Sequence, residues 1–367
     1  MFDRALRRCF ADFIGGGRWQ ASYDAAMSST PHPANNGHPY TALTPDVVLD
    51  ALDAAGQRPD GRLLALNSYE NRVYLAYLED GSSIVAKFYR PNHDGARWTD
   101  AQILEEHAFA AELAAAEIPV AAPLQLASHG TLAHHAGFRF AVFARMGGRA
   151  PELEDASTLT WIGRFLGRIH AVGAAKPFTQ RETVNVATLG TKPLEYLRAH
   201  WFGVDRAPRE AVSWLTAADE ALTHVQACFD RAAPLANVRL HGDCHPGNIL
   251  WTDSGPHFVD LDDCRNGPAL QDLWMLLSGS RAEVQRQLAD VLAGYEDFMP
   301  FDPRQLHLLE ALRTLRMISY SAWLARRWSD PIFEPNFPWF NTAAYWSDQT
   351  RALQEQIAAM DAPPIVV

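Results

Sequence analysis

Three side chains between residues 243 and 260 have the types and spacing needed to act on a phosphate group. Asp243 lies in the polar loop 241–247, Asn248 follows five positions later, and Asp260 ends the next apolar run. A carboxylate can accept the proton of an attacking hydroxyl, and amide and carboxylate oxygens are the ligands that Mg²⁺ prefers. The pattern predicts phosphoryl transfer to a hydroxyl, with Asp243 and Asp260 as catalytic residues and with Asn248 and Asp260 as Mg²⁺ ligands.

An aspartate followed five residues later by an asparagine is the spacing of kinase catalytic loops. Two short apolar runs after the loop, 248–251 and 258–259, flank the polar segment 252–256, which predicts a β-hairpin with a Gly-Pro tip. Two other interpretations stay open at this point. Such a pair also occurs in ordinary turns, and a zinc site is conceivable because a cysteine separates two nearby histidines; these residues are His241, Cys244 and His245.

A lysine upstream lies where a phosphate-binding cation is expected. Segments 63–66, 72–78 and 83–89 predict an antiparallel meander. Lys87 follows Val and Ala in the third strand, as does the kinase lysine that pairs with the α/β-phosphates of ATP and with a helix glutamate. A solvated strand position is the alternative for this lysine.

The helix that should supply the glutamate is predicted to begin near Thr99. Its apolar positions recur at helical spacing on the face that carries Glu106. Glu106 is therefore the predicted partner of Lys87, and Glu105 is the second candidate. Both glutamates could also be solvated.

The loop 67–71 joins the first two strands at the position where kinases carry a glycine-rich loop over the phosphates. It contains no glycine, but Ser68 and two asparagines offer hydroxyl, amide and backbone N–H groups. Together with Lys87, this loop predicts ATP contact, with Ser68, Lys87 and Glu106 as the residues of the nucleotide site. A simple polar hairpin tip is the alternative.

Later segments supply the rest of the frame. Residues 124–127 and 138–144 predict two more strands, and 143–151 a hinge. From Ser157 onward the periodicity is helical, including a long helix over about 209–231. Asp272 lies within an apolar run, so we expect it to accept hydrogen bonds from backbone N–H groups of the loop around Asp243. The aromatic segment 331–339 is expected to pack over helices, with acceptor binding as the alternative.

Composition limits the classes of protein. The 367 residues carry a formal net charge of −11, which does not suggest a nucleic-acid-binding surface. The four cysteines show no framework spacing and suit a reducing cytosol; Cys244 is expected to be a small loop residue, with a reactive thiol as the alternative. No apolar run is long enough to span a membrane. We expect residues 1–40 to be a disordered extension, and Met27 offers an alternative start.

Taken in order, these motifs resemble the aminoglycoside-phosphotransferase/choline-kinase-like group of protein-kinase-fold enzymes and, within it, the RdoA-type bacterial Ser/Thr protein kinases. The resemblance covers about 41–360. It is carried by the segments 66–74, 85–91, 98–107, 240–251, 258–263, 271–277 and 326–340. It implies an ATP- and Mg²⁺-dependent kinase that phosphorylates Ser/Thr on proteins in the cytoplasm under stress. By position, Asp243 would be the proton acceptor, Asn248 and Asp260 the Mg²⁺ ligands, and Ser68 an ATP contact.

The expected fold class is α+β, with a small antiparallel-sheet N-lobe and a larger, mostly helical C-lobe. We expect the N-lobe over 41–146, the C-lobe over 147–360 and a tail over 361–367, in a monomer that binds ATP and protein substrates but neither nucleic acid nor membranes. Two alternatives remain. One is a kinase of an amino alcohol, sugar or antibiotic with the same fold, and the other is an ATP-binding scaffold without catalysis.

Overall fold

The computed structural model describes residues 37–91, 98–127, 129–202 and 207–367. Most of the predicted disordered extension therefore lies outside the described residues. Its last four residues do not fit that prediction, because Pro39–Ala42 forms a 3₁₀ turn and Tyr40 is buried. The Tyr40 hydroxyl donates to the Phe88 carbonyl at 3.2 Å, so order begins before the predicted start at Thr44.

An antiparallel sheet of five strands forms the N-lobe, in the order β1-β2-β3-β5-β4. Helix α1 packs beside it, and its N-terminus is capped as expected by Thr44 ahead of a proline. These elements are α1 (Pro45–Ala54), β1 (Pro59–Leu66), β2 (Arg72–Leu78), β3 (Ser83–Tyr89), α2 (Asp100–Ala115), β4 (Ala133–His135) and β5 (Phe138–Ala144).

Two details of the predicted sheet are wrong. The first strand begins at Pro59 and not at the predicted residue 63. The segment between Pro59 and Leu63, which contains Gly61, is part of the strand but interrupts its pairing register with β2. The predicted strand at 124–127 is replaced by isolated bridges, and the edge strand is instead Ala133–His135. Strands β2, β3 and β5 match their predicted bounds, and α2 begins after a capping box of Thr99 and Gln102.

Helices dominate the C-lobe, as predicted. Its α-helices in the described part of the chain are α3 (Ala156–Gly173), α4 (Lys192–His200), α5 (Glu210–Ala232), α6 (Leu270–Leu273), α7 (Arg281–Tyr295), α8 (Leu309–Arg327), α9 (Phe333–Asn336) and α10 (Ala343–Asp361). Segment 331–339 packs as expected, with Phe333 and Phe337 buried. Helices α3 and α7 cross at backbone contact, because a Cβ at Gly163 would lie 2.0 Å from the carbonyl oxygen of Val291.

Two small antiparallel sheets of two strands each support the loop that carries Asp243 and Asn248. Strand β6 (Val238–Leu240) pairs with β9 (Arg265–Gly267), and β7 (Ile249–Thr252) pairs with β8 (Gly255–Phe258). The predicted hairpin is confirmed, but its tip is the pair 253–254, because Thr252 and Gly255 are already strand partners. Among the described residues, no helix is long and apolar enough to cross a membrane.

Candidate active site

A cleft of about 2330 Å³ lies between the sheet and the helical C-lobe. The motif residues come from distant parts of the chain, yet they converge on this space. The cleft-lining residues include Ser68, Lys87, Glu106, Asp243, Asn248 and Asp260. The structure therefore brings all six predicted residues to one site.

The loop that carries Asp243 begins where β6 ends. Gly242 has a φ of +87°, and a Cβ there would lie 2.0 Å from the Asp263 carbonyl oxygen, so only glycine fits. The backbone N–H groups of His241 and Gly242 each donate to the Asp272 carboxylate at 2.8 Å. The predicted structural contact of Asp272 is confirmed.

The Asp272 carboxylate is fully buried and is itself held from α3. His170 Nε2 lies 3.0 Å from Asp272, and its Nδ1 lies 3.0 Å from the Tyr295 hydroxyl. Burial alone would raise the pKa of Asp272, but the hydrogen bond and charge of His170, with the N–H of Gly242, outweigh it and lower that pKa. An ionised carboxylate thus anchors the loop.

Asp243 faces the cleft and is 8 % exposed. The side-chain amide of Asn248 donates to the backbone carbonyl of Asp243 at 2.9 Å, which fixes the spacing of the two residues. A second group reaches the carboxylate from α8, since Arg316 Nη2 lies 2.9 Å from Asp243 Oδ1. His245 Nε2 is 3.7 Å from the other oxygen, and burial lowers the pKa of that imidazole, which favours its neutral form.

Asp260 follows β8 with a φ of +61°, in the left-handed region that non-glycine residues rarely adopt. Its side chain is 50 % exposed and accepts a hydrogen bond of 2.6 Å from Lys87 Nζ. Partial burial opposes ionisation, but the charge of Lys87 outweighs it and lowers the pKa of Asp260. Backbone strain at a site residue is typical of functional positions.

The predicted ion pair between Lys87 and Glu106 is absent. Lys87 instead contacts both Asp260 and Asp262, and the amide of Asn71 also donates to Asp262. Burial would lower the pKa of Lys87, but the two aspartates raise it well above its usual value. Lys87 is therefore a charged, buried group and not a solvated strand position.

Glu106 is buried and belongs to a different pair. Its carboxylate accepts from Arg181 Nη2 at 2.8 Å, and Arg181 also donates to the carbonyl of Asp262. Glu105 lies on the neighbouring face and caps the segment 179–181 through three backbone N–H groups. The helix face that carries Glu106 was predicted correctly. The partner of Glu106, however, is Arg181, which lies outside the motifs recognised in the sequence.

The oxygen donors of Asn248 and Asp260 suit Mg²⁺ by their chemistry. Asn248 and Asp260 both face the cleft and offer hard oxygen ligands, and a Mg²⁺ site of two protein ligands leaves room for phosphate oxygens and water. Among the described residues, no group of three His, Cys, Asp or Glu side chains is placed to hold a metal by itself. The residues therefore fit a phosphate-bound hard cation, whereas the zinc alternative finds no support in this part of the chain.

Cys244 is not poised as a nucleophile. Burial, together with the charges of Asp272 and Asp243, raises the pKa of the Cys244 thiol well above its usual value. The side chain of His241 lies 2.9 Å from the carbonyl of Val259. These loop residues serve as packing around Asp243.

Contact residues that sequence reasoning missed are Asp262, Arg181 and Arg316, and the bond of Asn71 to Asp262 was not predicted either. Asp262 had a signal, since it lies two residues after Asp260 in an acidic run. Arg316 had none, because only the tertiary fold brings α8 to the catalytic loop.

A two-lobed fold with a lysine on the third strand, an Asp–Asn loop and a carboxylate after the next hairpin defines a kinase-type phosphotransferase. The model of the phosphotransferase enzyme family matches residues 62–309. The chain belongs to this family, and it is an enzyme of the kinase type.

The chain is also similar to curated kinases whose names are more specific than the family description. Stress response kinase A of Escherichia coli strain K12 is 45 % identical over 332 residues, covering 90 % of this chain and 98 % of the relative. The protein of the same name from Salmonella typhi is 44 % identical over 334 residues, with the same two coverages. Serine/threonine protein kinase RdoA of Salmonella typhimurium is 43 % identical over 334 residues, again covering 90 % and 98 %.

Solved structures agree on the fold. An amicoumacin kinase determined with AMP-PNP and Ca²⁺ superimposes with a TM-score of 0.64 at 19 % identity, covering 88 % of this chain and 94 % of that one. A microcompartment-associated aminopropanol kinase superimposes with a TM-score of 0.63 at 17 % identity, covering 85 % and 98 %. The bilobal α+β fold predicted from the sequence is confirmed.

Proposed function

We propose that this enzyme transfers the γ-phosphate of Mg-ATP to serine or threonine hydroxyls of proteins, in the cytoplasm and in response to stress. The observation that carries the proposal is the position of Asp243, a carboxylate held at the cleft within reach of an entering hydroxyl. The name of one curated relative, serine/threonine protein kinase RdoA at 43 % identity over 90 % of the chain, supports a protein acceptor. The name stress response kinase A, carried by two others, supports the role in stress.

The residues of the chain divide the work. Lys87 would pair with the α/β-phosphates, and the loop 67–71 with Ser68 would cover them. Asn248 and Asp260 would hold Mg²⁺, which when bound neutralises charge on the phosphate oxygens. Asp243 would align the hydroxyl and accept its proton. Positioning and charge stabilisation supply the rate, because phosphoryl transfer needs little covalent chemistry from the protein.

The cleft is larger than a pocket for a single small ligand. Its volume is about 2330 Å³, compared with roughly 300–1,000 Å³ for typical ligand pockets. A cleft of this size is compatible with a protein segment and with a small molecule as the acceptor, so its volume does not decide between the two candidates.

A second candidate is a small-molecule kinase. It is favoured by the structural neighbours, whose names identify amicoumacin and aminopropanol as acceptors. Those neighbours are less than 20 % identical, so their acceptors bear less weight than the curated relatives.

Asp243→Asn tests the proposal, because the amide cannot accept the hydroxyl proton. We expect ATP affinity to stay close to that of the wild type, while turnover falls by about 10²–10⁴-fold. Lysate incubated with ATP labelled at the γ-phosphate would show labelled proteins with the wild-type enzyme and not with the variant. Label confined to the metabolite fraction would favour the small-molecule candidate, and wild-type turnover in the variant would refute the role of Asp243.

A further inference from the structure

Helix α8 presents one polar and aromatic face to the cleft. Residues 316, 320, 323 and 327 are spaced four, three and four positions apart, which places them on one side of the helix. The opposite side is buried in the core through Ile318, Ala322 and Ala325. The cleft-facing residues are Arg316, Tyr320, Trp323 and Arg327.

Arg316 begins this face and reaches the proposed catalytic carboxylate. Its guanidinium lies 2.9 Å from Asp243 Oδ1, and its side chain is 25 % exposed. Asp243 Oδ1 is buried, and within the described part of the chain no donor makes a well-directed hydrogen bond to it. The contact is therefore an ion pair between Arg316 and an oxygen that is closed to solvent.

That geometry has a direct chemical consequence. A proton-accepting oxygen must lie about 2.6–3.2 Å from the hydroxyl that it serves. An acceptor hydroxyl that is hydrogen-bonded to the Asp243 carboxylate would therefore also lie within a few ångströms of the Arg316 guanidinium. The carboxylate and the incoming phosphoryl group are both negative, and a fixed cation beside them reduces their repulsion.

We propose that Arg316 is a positioning residue for phosphoryl transfer, which holds the Asp243 carboxylate in its reactive orientation and balances its charge against the phosphoryl group. The proposal rests on the proposed function only in taking Asp243 as the proton acceptor. It assigns a site role to a helix that lies more than fifty residues beyond the catalytic motif.

Stacked aromatic rings extend the same face. Tyr320 and Trp323 lie with ring centroids 5.6 Å apart at 14° and line the same cleft. Arg316 lies one turn of α8 earlier, where its guanidinium can hold the Asp243 carboxylate.

Arg316→Met tests this role, because it keeps the length of the side chain and removes the charge. We expect kcat to fall roughly 10- to 100-fold, with the KM and Kd for ATP changed less than about twofold. Arg316→Lys should recover part of kcat, since a cation returns without the planar fork. Arg313→Met is the matched control, because Arg313 lies one turn earlier and pairs with Glu310 at 3.0 Å; its kcat should remain that of the wild type.

Chemical rescue separates charge from structure. Guanidinium chloride at tens of millimolar should raise kcat of Arg316→Ala, while sodium chloride at equal concentration should not. A purely structural role would show no rescue and a lowered melting temperature. Wild-type kcat in Arg316→Met, or equal loss in Arg313→Met, would overturn the proposal.

The same assays distinguish this proposal from the function itself. Transfer confined to small molecules would overturn the protein-kinase assignment, while the ratio of Arg316→Met to wild type would still decide the role of Arg316. Absence of γ-phosphate transfer to any acceptor, water included, would overturn both.

Discussion

At the scale of single residues, the site is governed by which charges are buried together. Lys87 lies between Asp260 and Asp262, while Glu106 is neutralised by Arg181. Burial raises the pKa of Asp262 well above its usual value, and the neighbouring acids Asp260 and Glu106 add to that rise against the opposing charge of Lys87. The cluster has more acids than one lysine can balance, which suits a site that receives a cation with its nucleotide.

We predict that His107 makes the stability of the protein depend on pH. Its ring is 2 % exposed and lies 2.8 Å from the Tyr89 hydroxyl and 2.9 Å from the Thr131 hydroxyl. Burial, helped by the charges of Lys87 and Arg181, lowers the pKa of His107 to about 3. In the unfolded chain this pKa is about 6.5, so between these values the unfolded state binds more protons and stability falls as the pH falls.

We therefore expect the free energy of unfolding to drop between pH 7.5 and pH 5.5, by roughly 1 kcal/mol from this residue alone. His107→Gln should remove that part of the slope. Urea unfolding at both pH values measures it. His129→Gln, at an exposed histidine, is the control and should keep the wild-type slope; an identical slope in His107→Gln and wild type would contradict the assignment.

At the scale of elements, α8 ties the loop 67–71 to the C-lobe. Glu70 of the loop accepts hydrogen bonds from Arg327 Nε and Nη2 at 2.5 Å each, and from Trp323 Nε1 at 2.9 Å. Asp330, just after α8, is 1 % exposed and binds Arg72 at 2.7 Å and Arg90 at 3.0 Å. The two lobes are thus joined by buried ion pairs as well as by the chain.

Glu70→Gln should weaken this interlobe contact. Breaking one partner of a buried pair is costly, and we expect the free energy of unfolding to fall by about 2 kcal/mol because the amide keeps some of the hydrogen bonds. The KM for ATP should rise, since the loop loses its support. Denaturant unfolding and steady-state kinetics measure both. Asp60→Asn, which breaks the exposed Asp60–Arg62 pair, should change stability by less than about 0.5 kcal/mol; equal effects of the two variants would refute a special role for Glu70.

The crossing of α3 and α7 depends on glycine. A methyl group at Gly163 would meet the Val291 carbonyl at 2.0 Å, so Gly163→Ala must push the helices apart. We expect a loss of about 1–3 kcal/mol in the free energy of unfolding, the usual range for overpacking. Gly147→Ala, where a Cβ meets no atom within 4 Å, is the matched control in the same urea titration. Equal stability of Gly163→Ala and wild type would show that the crossing tolerates separation.

At the scale of the whole molecule, the elements and contacts that could be predicted from the sequence are those formed by residues close together in the chain. Strands β2 and β3 followed from their local sequence patterns, and α2 followed from the helical spacing of its apolar positions. The loop residues Asp243 and Asn248 were recognisable because their spacing is short and local. The contact of Asp272 was predictable because a buried carboxylate must find hydrogen-bond donors, and the adjacent loop offered them.

Pairings across large sequence separations could not be predicted in this way. Lys87 chooses Asp262 rather than Glu106, and Arg181 takes that glutamate, because the relative placement of the lobes brings them together. The same holds for Arg316 on Asp243 and for Tyr40 under the sheet. The periodicity of a sequence shows which face of a helix or strand is buried. The residues that contact this face are determined by the tertiary fold.

The helix crossing at Gly163 also has a mechanical consequence for the catalytic loop. From α7, Tyr295 holds His170 of α3, His170 holds Asp272, and Asp272 holds the backbone at Gly242, next to Asp243. Links in series have a compliance equal to the sum of their parts, and backbone touching backbone is the stiffest contact that two helices can make. The softness of this path lies in three hydrogen bonds of 2.8–3.0 Å, so the polar contacts, rather than the helices at its origin, limit how firmly the path holds the backbone at Gly242.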